Sequence, residues 1–116
     1  MIKEYLIRNS DNAIKMTLTE DGVAISGTWT ALDVWIGTVN LHRTVNGSGL
    51  TLNSSTGLLT LNPGDLLPQE VTDLGRLRVG YYTVKIVVTS SINDDGAVFG
   101  ATASDQIRFY IDDKPI

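Results

Sequence analysis

Tyr81-Tyr82-Thr83-Val84-Lys85-Ile86-Val87-Val88-Thr89 is the stretch that decides the fold class. Tyr82, Val84, Ile86 and Val88 fall on one side of an extended chain, and Thr83, Lys85 and Thr89 fall on the other. That period of two gives a strand one apolar face, whereas on a helix it would scatter the same residues around the axis. The β-branched and aromatic content suits a pleated, half-buried surface.

The same rhythm continues in both directions. Towards the C-terminus a turn at Asn93-Asp94-Asp95-Gly96 leads to Ala97-Val98-Phe99, and a last strand from Gln106 to Ile111 alternates Ile107, Phe109 and Ile111 with Gln106, Arg108 and Tyr110. Asp112 to Ile116 reads as a polar tail. Towards the N-terminus, Ile14, Met16 and Leu18 alternate with Lys15, Thr17 and Thr19, and Glu20-Asp21-Gly22 turns the chain into Val23-Ala24-Ile25. An extended run covers Leu32 to Leu41, with Leu32, Val34 and Ile36 expected on one face and Asp33, Trp35 and Val39 on the other. After Asn46-Gly47-Ser48-Gly49, the segments Leu50-Thr51-Leu52 and Leu58-Leu59-Thr60-Leu61 form a hairpin around a polar turn at 53–57, closed by Asn62-Pro63-Gly64-Asp65. Only the connection from Pro63 to Gly80 has helical potential, a turn or two carrying Leu66, Leu67, Val71, Leu74 and Leu77.

Short strands at close intervals, with no long segment of period 3.6, predict an all-β fold: a single antiparallel β-sandwich of about seven strands spanning 1–116 as one domain, with a closed barrel as the alternative. A chain of 116 residues is long enough to bury about two thirds of its unfolded surface in one core, and too short for a second. Its 42% hydrophobic and 19% charged content is that of an ordinary folded domain.

Composition narrows function by exclusion. The net charge is -4, and the nine basic residues are scattered from Lys3 to Lys114, so there is no dense cationic patch for nucleic acid; only Arg76 and Arg78 lie close together, just after Glu70 and Asp73. The absence of cysteine removes disulfides, thiolate metal sites and thiol nucleophiles. The N-terminal residues lack the apolar run of a signal peptide, and no stretch approaches the ~20 apolar residues of a membrane span, so no membrane role is expected, and the protein is expected to be made in the cytoplasm.

His42 is the only histidine, lies next to an extended segment with no evident partner, and reads as a surface imidazole rather than an acid–base catalyst. One histidine and no cysteine do not make a usual zinc set. There is no phosphate-binding glycine loop, dinucleotide fingerprint or serine elbow. Asn93-Asp94-Asp95-Gly96 lacks the acidic spacing of a calcium loop and is better read as a turn. Carboxylates are present, but nothing in their spacing selects a glycosidase pair. The expectation is a protein that is not an enzyme and carries no cofactor.

The aromatics point to binding. Trp29 and Trp35 share parity and would form a sugar-stacking platform if no bulge separates them; against this stands the large apolar area each brings to a core or an interface. Trp35, out of phase with Val34 and Ile36, is the outer-face candidate, and with Val39, Leu41 and Tyr110 it is expected to form a contact patch. Ile2 to Ile7, including Ile2 and Leu6, is a candidate for strand exchange with a partner.

Leu77-Arg78-Val79-Gly80-Tyr81-Tyr82-Thr83-Val84 resembles the Leu-x-x-Gly-x-Tyr-x-Val pattern of immunoglobulin-like sandwiches, which implies that Tyr82 pins the corner between sheets. About half of the chain resembles small immunoglobulin-like or jelly-roll-like structural proteins of tailed bacteriophages: the hairpin from Asn53 to Leu61, then Gly-x-Tyr, then Asp94-Asp95-Gly96-Ala97-Val98-Phe99-Gly100 before a last strand. The resemblance implies a virion component, foremost a decoration or cement protein on the capsid surface, bound to the major capsid protein and forming a homo-oligomer such as a dimer or trimer. A tail, neck or baseplate module is the alternative within that class, and a carbohydrate-binding module the alternative outside it.

Overall fold

Alternation in the sequence becomes eleven strands among the described residues of the computed structural model, which describes residues 2–8, 10–20, 22–90, 96–100 and 106–113. In chain order they are β1 (Ile2–Arg8), β2 (Ile14–Thr17), β3 (Thr19–Glu20), β4 (Val23–Ala24), β5 (Trp29–Ile36), β6 (Val39–Arg43), β7 (Leu50–Leu52) and β8 (Leu58–Leu61). A 3-10 turn (Pro63–Asp65) and helix α1 (Pro68–Gly75) follow, then β9 (Gly80–Ser90), β10 (Ala97–Phe99) and β11 (Ile107–Asp113). The chain is thus mostly β, and the two short helical pieces fall where the sequence has its only helical potential.

The large sheet runs β1-β11-β9-β5-β6, with β10 also on β9. A second sheet is β2-β8-β7, and β3 and β4 pair as a short hairpin. β9 is the axis of the large sheet. One of its edges pairs with β5 from Val84 to Ser90; the other takes β11 and β10 end to end, Ile107 opposite Val84 and Phe99 opposite Ile86.

Two expectations change here. The sheet is mixed rather than antiparallel, because β1 lies parallel to β11 from the Ile2–Ile107 pair to the Arg8–Asp113 pair. These strands come from opposite ends of the chain, so no tight turn dictates their relative direction. Asp112 and Asp113 belong to β11 rather than to a tail, and Asp113 Oδ1 accepts from Arg8 Nε at 2.9 Å. The rest of that segment, 114–116, lies outside the described residues, as do Asp21 and the Asn93-Asp94-Asp95 portion of the expected turn.

The run from Leu32 to Leu41 is two strands, not one. Gly37, at φ +58°, turns β5 into β6 so that Ile36 opposes Val39 and Trp35 opposes Asn40. A two-residue turn puts the residues on either side of it on the same face of the sheet. Val39 and Leu41 therefore join Val34 and Ile36 inside, both buried, and do not accompany Trp35.

The core gathers the inward residues of both sheets into one cluster. Leu32, Val34, Ile36, Val84, Ile86, Ile107, Phe109 and Ile111 meet Ile14, Met16, Leu50, Leu52, Leu59 and Leu61. Each such aliphatic side chain contributes about 1.5 to 3 kcal/mol on burial, so this contact is the main source of cohesion in a chain without disulfides. Leu74 seats α1 on it. The helix is held at both ends by arginine. Arg43 of β6 pairs with Glu70, and Arg8 Nη1 donates to the carbonyls of Leu74, in the last turn, and Leu77, just past it, at 3.0 and 2.6 Å.

Candidate docking face

Strand alternation that buries one face of the large sheet exposes the other, and three adjacent strands place a tyrosine at the same level of it. Tyr5 on β1 opposes Tyr110 on β11, which opposes Tyr81 on β9. Ring centroids are 5.6 Å apart for Tyr5 and Tyr110 and 4.9 Å for Tyr110 and Tyr81, with interplanar angles of 59° and 74°. Tyr5 is 64% exposed and Tyr81 55%. Such edge-on packing satisfies the ring quadrupoles, while the rings present no common flat surface.

Two residues further along each strand, Lys3, Arg108 and Thr83 form the next level. Beyond them Lys85 opposes Trp35, which opposes Asn40. Trp35 is 37% exposed, and Lys85 Nζ lies 6.0 Å from the centroid of its ring, at the outer limit of a cation–π contact. The last level holds Val98, Val87, Asp33 and His42, with Val98 exposed. His42 has a partner that its sequence context does not reveal: Nδ1 is 2.7 Å from Asp33 Oδ1, which also accepts from Asn40 Nδ2 at 3.3 Å.

The expected site residues separate accordingly. Trp35 and Tyr110 are on this outer face. Val39, Leu41 and Leu6 are buried in the core, so the patch expected from Trp35, Val39 and Leu41 does not exist as one surface; the turn at Gly37 is the cause. Ile2 packs partly buried against the core, and the β1 that carries it pairs with β11 of its own chain. Tyr5, Tyr81, Lys3, Lys85 and Arg108 were not singled out from sequence. Each is out of phase with the buried residues of its strand, which is a usable signal, but their adjacency depends on β11 lying between β1 and β9.

Trp29 and Trp35 do not form a platform. The register between β5 and β9 shifts between Trp29 and Ala31, which turns Trp29 to the core side, where its indole N–H donates to the Leu52 carbonyl at 3.1 Å. It there walls a cleft of about 590 Å³ shared with Ile25, Leu52, Val88 and Ala97. Among the described residues that line the cleft, Glu20 is the only carboxylate. Among the described residues no cluster of three or more His, Asp or Glu is placed to hold a metal ion, and no helix is long and apolar enough to cross a membrane.

No protein-family model matches the chain, and neither a curated protein nor a solved structure matches it.

Proposed function

We propose that this protein is a non-enzymatic structural component of a tailed-bacteriophage virion, a capsid decoration protein that docks on the major capsid protein through the outer face of its large sheet. The observation that carries the reading is that face itself: Tyr5, Tyr110, Tyr81 and Trp35 stand on adjacent strands of a rigid sheet, with three of the four at least one third exposed. Tyrosine and tryptophan supply large contact area at low entropic cost and are enriched at protein interfaces. Repeated docking on a symmetric shell would stabilise both the shell and a small domain by mass action.

In the finer fold assignment that accompanies this reading, the two sheets are the layers of an immunoglobulin-like sandwich. Tyr82 supports it: its hydroxyl donates to the Arg78 carbonyl at 2.7 Å, the upstream backbone bond of a tyrosine corner. The separation of Trp29 from Trp35 weighs against the carbohydrate-binding alternative.

The test is size-exclusion chromatography with light scattering on the protein alone and mixed with expanded phage capsids that lack it. Stoichiometric loading that raises the heat resistance of the shell is the expected result. Failure to load, with binding to isolated tails or baseplates instead, would move the protein to another virion position; binding to neither would overturn the virion reading.

A further inference from the structure

We infer that the surface covering the outer sheet face is an acidic protein surface, whose carboxylates meet Lys3, Arg108 and Lys85 while the tyrosine row and Trp35 supply the apolar contact. The inference rests on the docking face proposed above and adds the chemistry of its partner. The chain as a whole carries -4, with 13 acidic residues against nine basic. The strand register nevertheless gathers three of the nine onto this one face, Lys3 and Arg108 on the level next to Tyr5–Tyr110–Tyr81 and Lys85 on the level of Trp35.

None of the three makes an ion pair with another described residue, although Arg8, Arg43, Arg76 and His42 each have an acidic partner. The two described carboxylates that share the face stand at its opposite ends, Asp112 one level beyond the tyrosine row and Asp33 one level beyond Trp35. Asp33 is held by His42 and Asn40, and Asp112 Oδ1 accepts from the Asp113 backbone at 2.8 Å. The middle of the face therefore carries three cations without an ion pair to a described residue, on a protein that is anionic overall.

Three other occupants fit less well. A second copy docked face to face about an axis through the middle of the face would set Lys3, Arg108 and Lys85 against the same three residues, and like charges across an interface are strongly unfavourable. Sugars and nucleobases bind by stacking on a flat ring surface, which rings inclined at 59° and 74° to their neighbours do not offer. Three phosphate-binding cations are also few for a nucleic-acid site. Carboxylates presented by a protein surface suit both the separated point charges and the tilted, hydroxyl-tipped rings.

The experiment is a ¹⁵N-¹H NMR titration of the full chain with a poly-glutamate peptide and, in parallel, with a single-stranded oligonucleotide and a neutral dextran, at about 25 mM and about 250 mM salt. The expected result is a set of peptide-induced shifts confined to Lys3, Tyr5, Tyr81, Lys85, Arg108, Tyr110 and Trp35. Affinity should fall on the order of tenfold between the two salts, and at least as far in K3E/K85E/R108E. These are outward-facing positions, and an unchanged melting curve checks that the variant folds; should it not, the salt dependence of the unaltered chain decides. Tighter binding of the oligonucleotide on the same residues, binding of dextran there, or no shift with any probe would each overturn the inference. Capsid loading without peptide binding would leave the docking reading standing and remove only the acidic partner.

Discussion

Arg43 and Glu70, 27 residues apart in the chain, meet as a buried two-point pair, Nη1 to Oε2 at 2.6 Å and Nη2 to Oε1 at 2.7 Å. Arg43 also donates to the carbonyls of His42 and Ser48, and Glu70 Oε1 accepts from the Leu67 N–H at 3.0 Å. The pair therefore fixes α1 on β6 and orders the loop after β6. Removing one member leaves a buried charge without compensation. Glu70→Ala or Arg43→Ala is expected to cost about 3 to 5 kcal/mol, a large share of the stability of a small domain. The double variant Arg43→Met/Glu70→Leu should lose less than the sum of the two, since it leaves no buried charge unpaired, although the His42 and Ser48 carbonyls and the Leu67 N–H lose their side-chain partners. Urea unfolding of the three variants measures this; additive losses would mean that the two side chains do not interact in solution.

Gly57 is where the β7–β8 hairpin meets the chain that flanks β3 and β4. It sits at φ +70°, a Cβ there would lie 2.8 Å from the Ile25 carbonyl oxygen, and its own carbonyl accepts from the Leu18 N–H. Gly57→Ala combines a left-handed backbone with a contact against main chain, and a loss of about 2 to 3 kcal/mol is expected. Gly57→Asn tolerates the backbone better but meets the same main-chain contact, so it too should lose stability. Thermal melts of both variants provide the comparison, and wild-type stability in either would contradict this placement of the turn.

Tyr82 separates a hydrogen bond from a packing contribution. Tyr82→Phe removes only the bond to the Arg78 carbonyl, which is near the surface, and should cost about 0.5 to 1.5 kcal/mol. Tyr82→Ala also removes a ring that packs against the core and lies beside Gly37, and about 3 kcal/mol or more is expected. If the two variants melted together, the ring would have no packing role and the corner would depend on the hydroxyl alone.

Much of the β architecture was legible because period-two alternation and turn residues are local signals. Ile14-Met16-Leu18, the hairpin around 53–57 and the strand at 80–90 all sit where alternation puts them. What the sequence hid is non-local or hinges on a single residue. One glycine, Gly37, reverses the parity of everything after it and sends Val39 and Leu41 inward. One register shift beside Trp29 does the same on the other side. The parallel placement of β1 and the tyrosine row follow from contact between the two ends of the chain, for which no short-range pattern exists. Glu70 has basic neighbours in sequence at Arg76 and Arg78, yet pairs with Arg43, because β6 brings that guanidinium under the helix.

The division between the proposed docking face and the core is testable with three substitutions. Trp35 stands on the outer face, 37% exposed and with Lys85 Nζ 6.0 Å from its ring centroid, so Trp35→Ala should cost less than a core truncation, about 1 to 2 kcal/mol. Its effect should appear as reduced capsid loading. Leu41, one level away on the partner strand, is fully buried, and Leu41→Ala should cost about 2 to 5 kcal/mol through the cavity it leaves. Trp29→Ala should also destabilise, since it loses both its packing against the core and the indole bond to Leu52. At a temperature where all three remain folded, Leu41→Ala and Trp29→Ala should load capsids like the unaltered protein, while Trp35→Ala should not. The opposite ranking, with loading following stability and indifferent to Trp35, would place the contact surface away from the outer face of the large sheet.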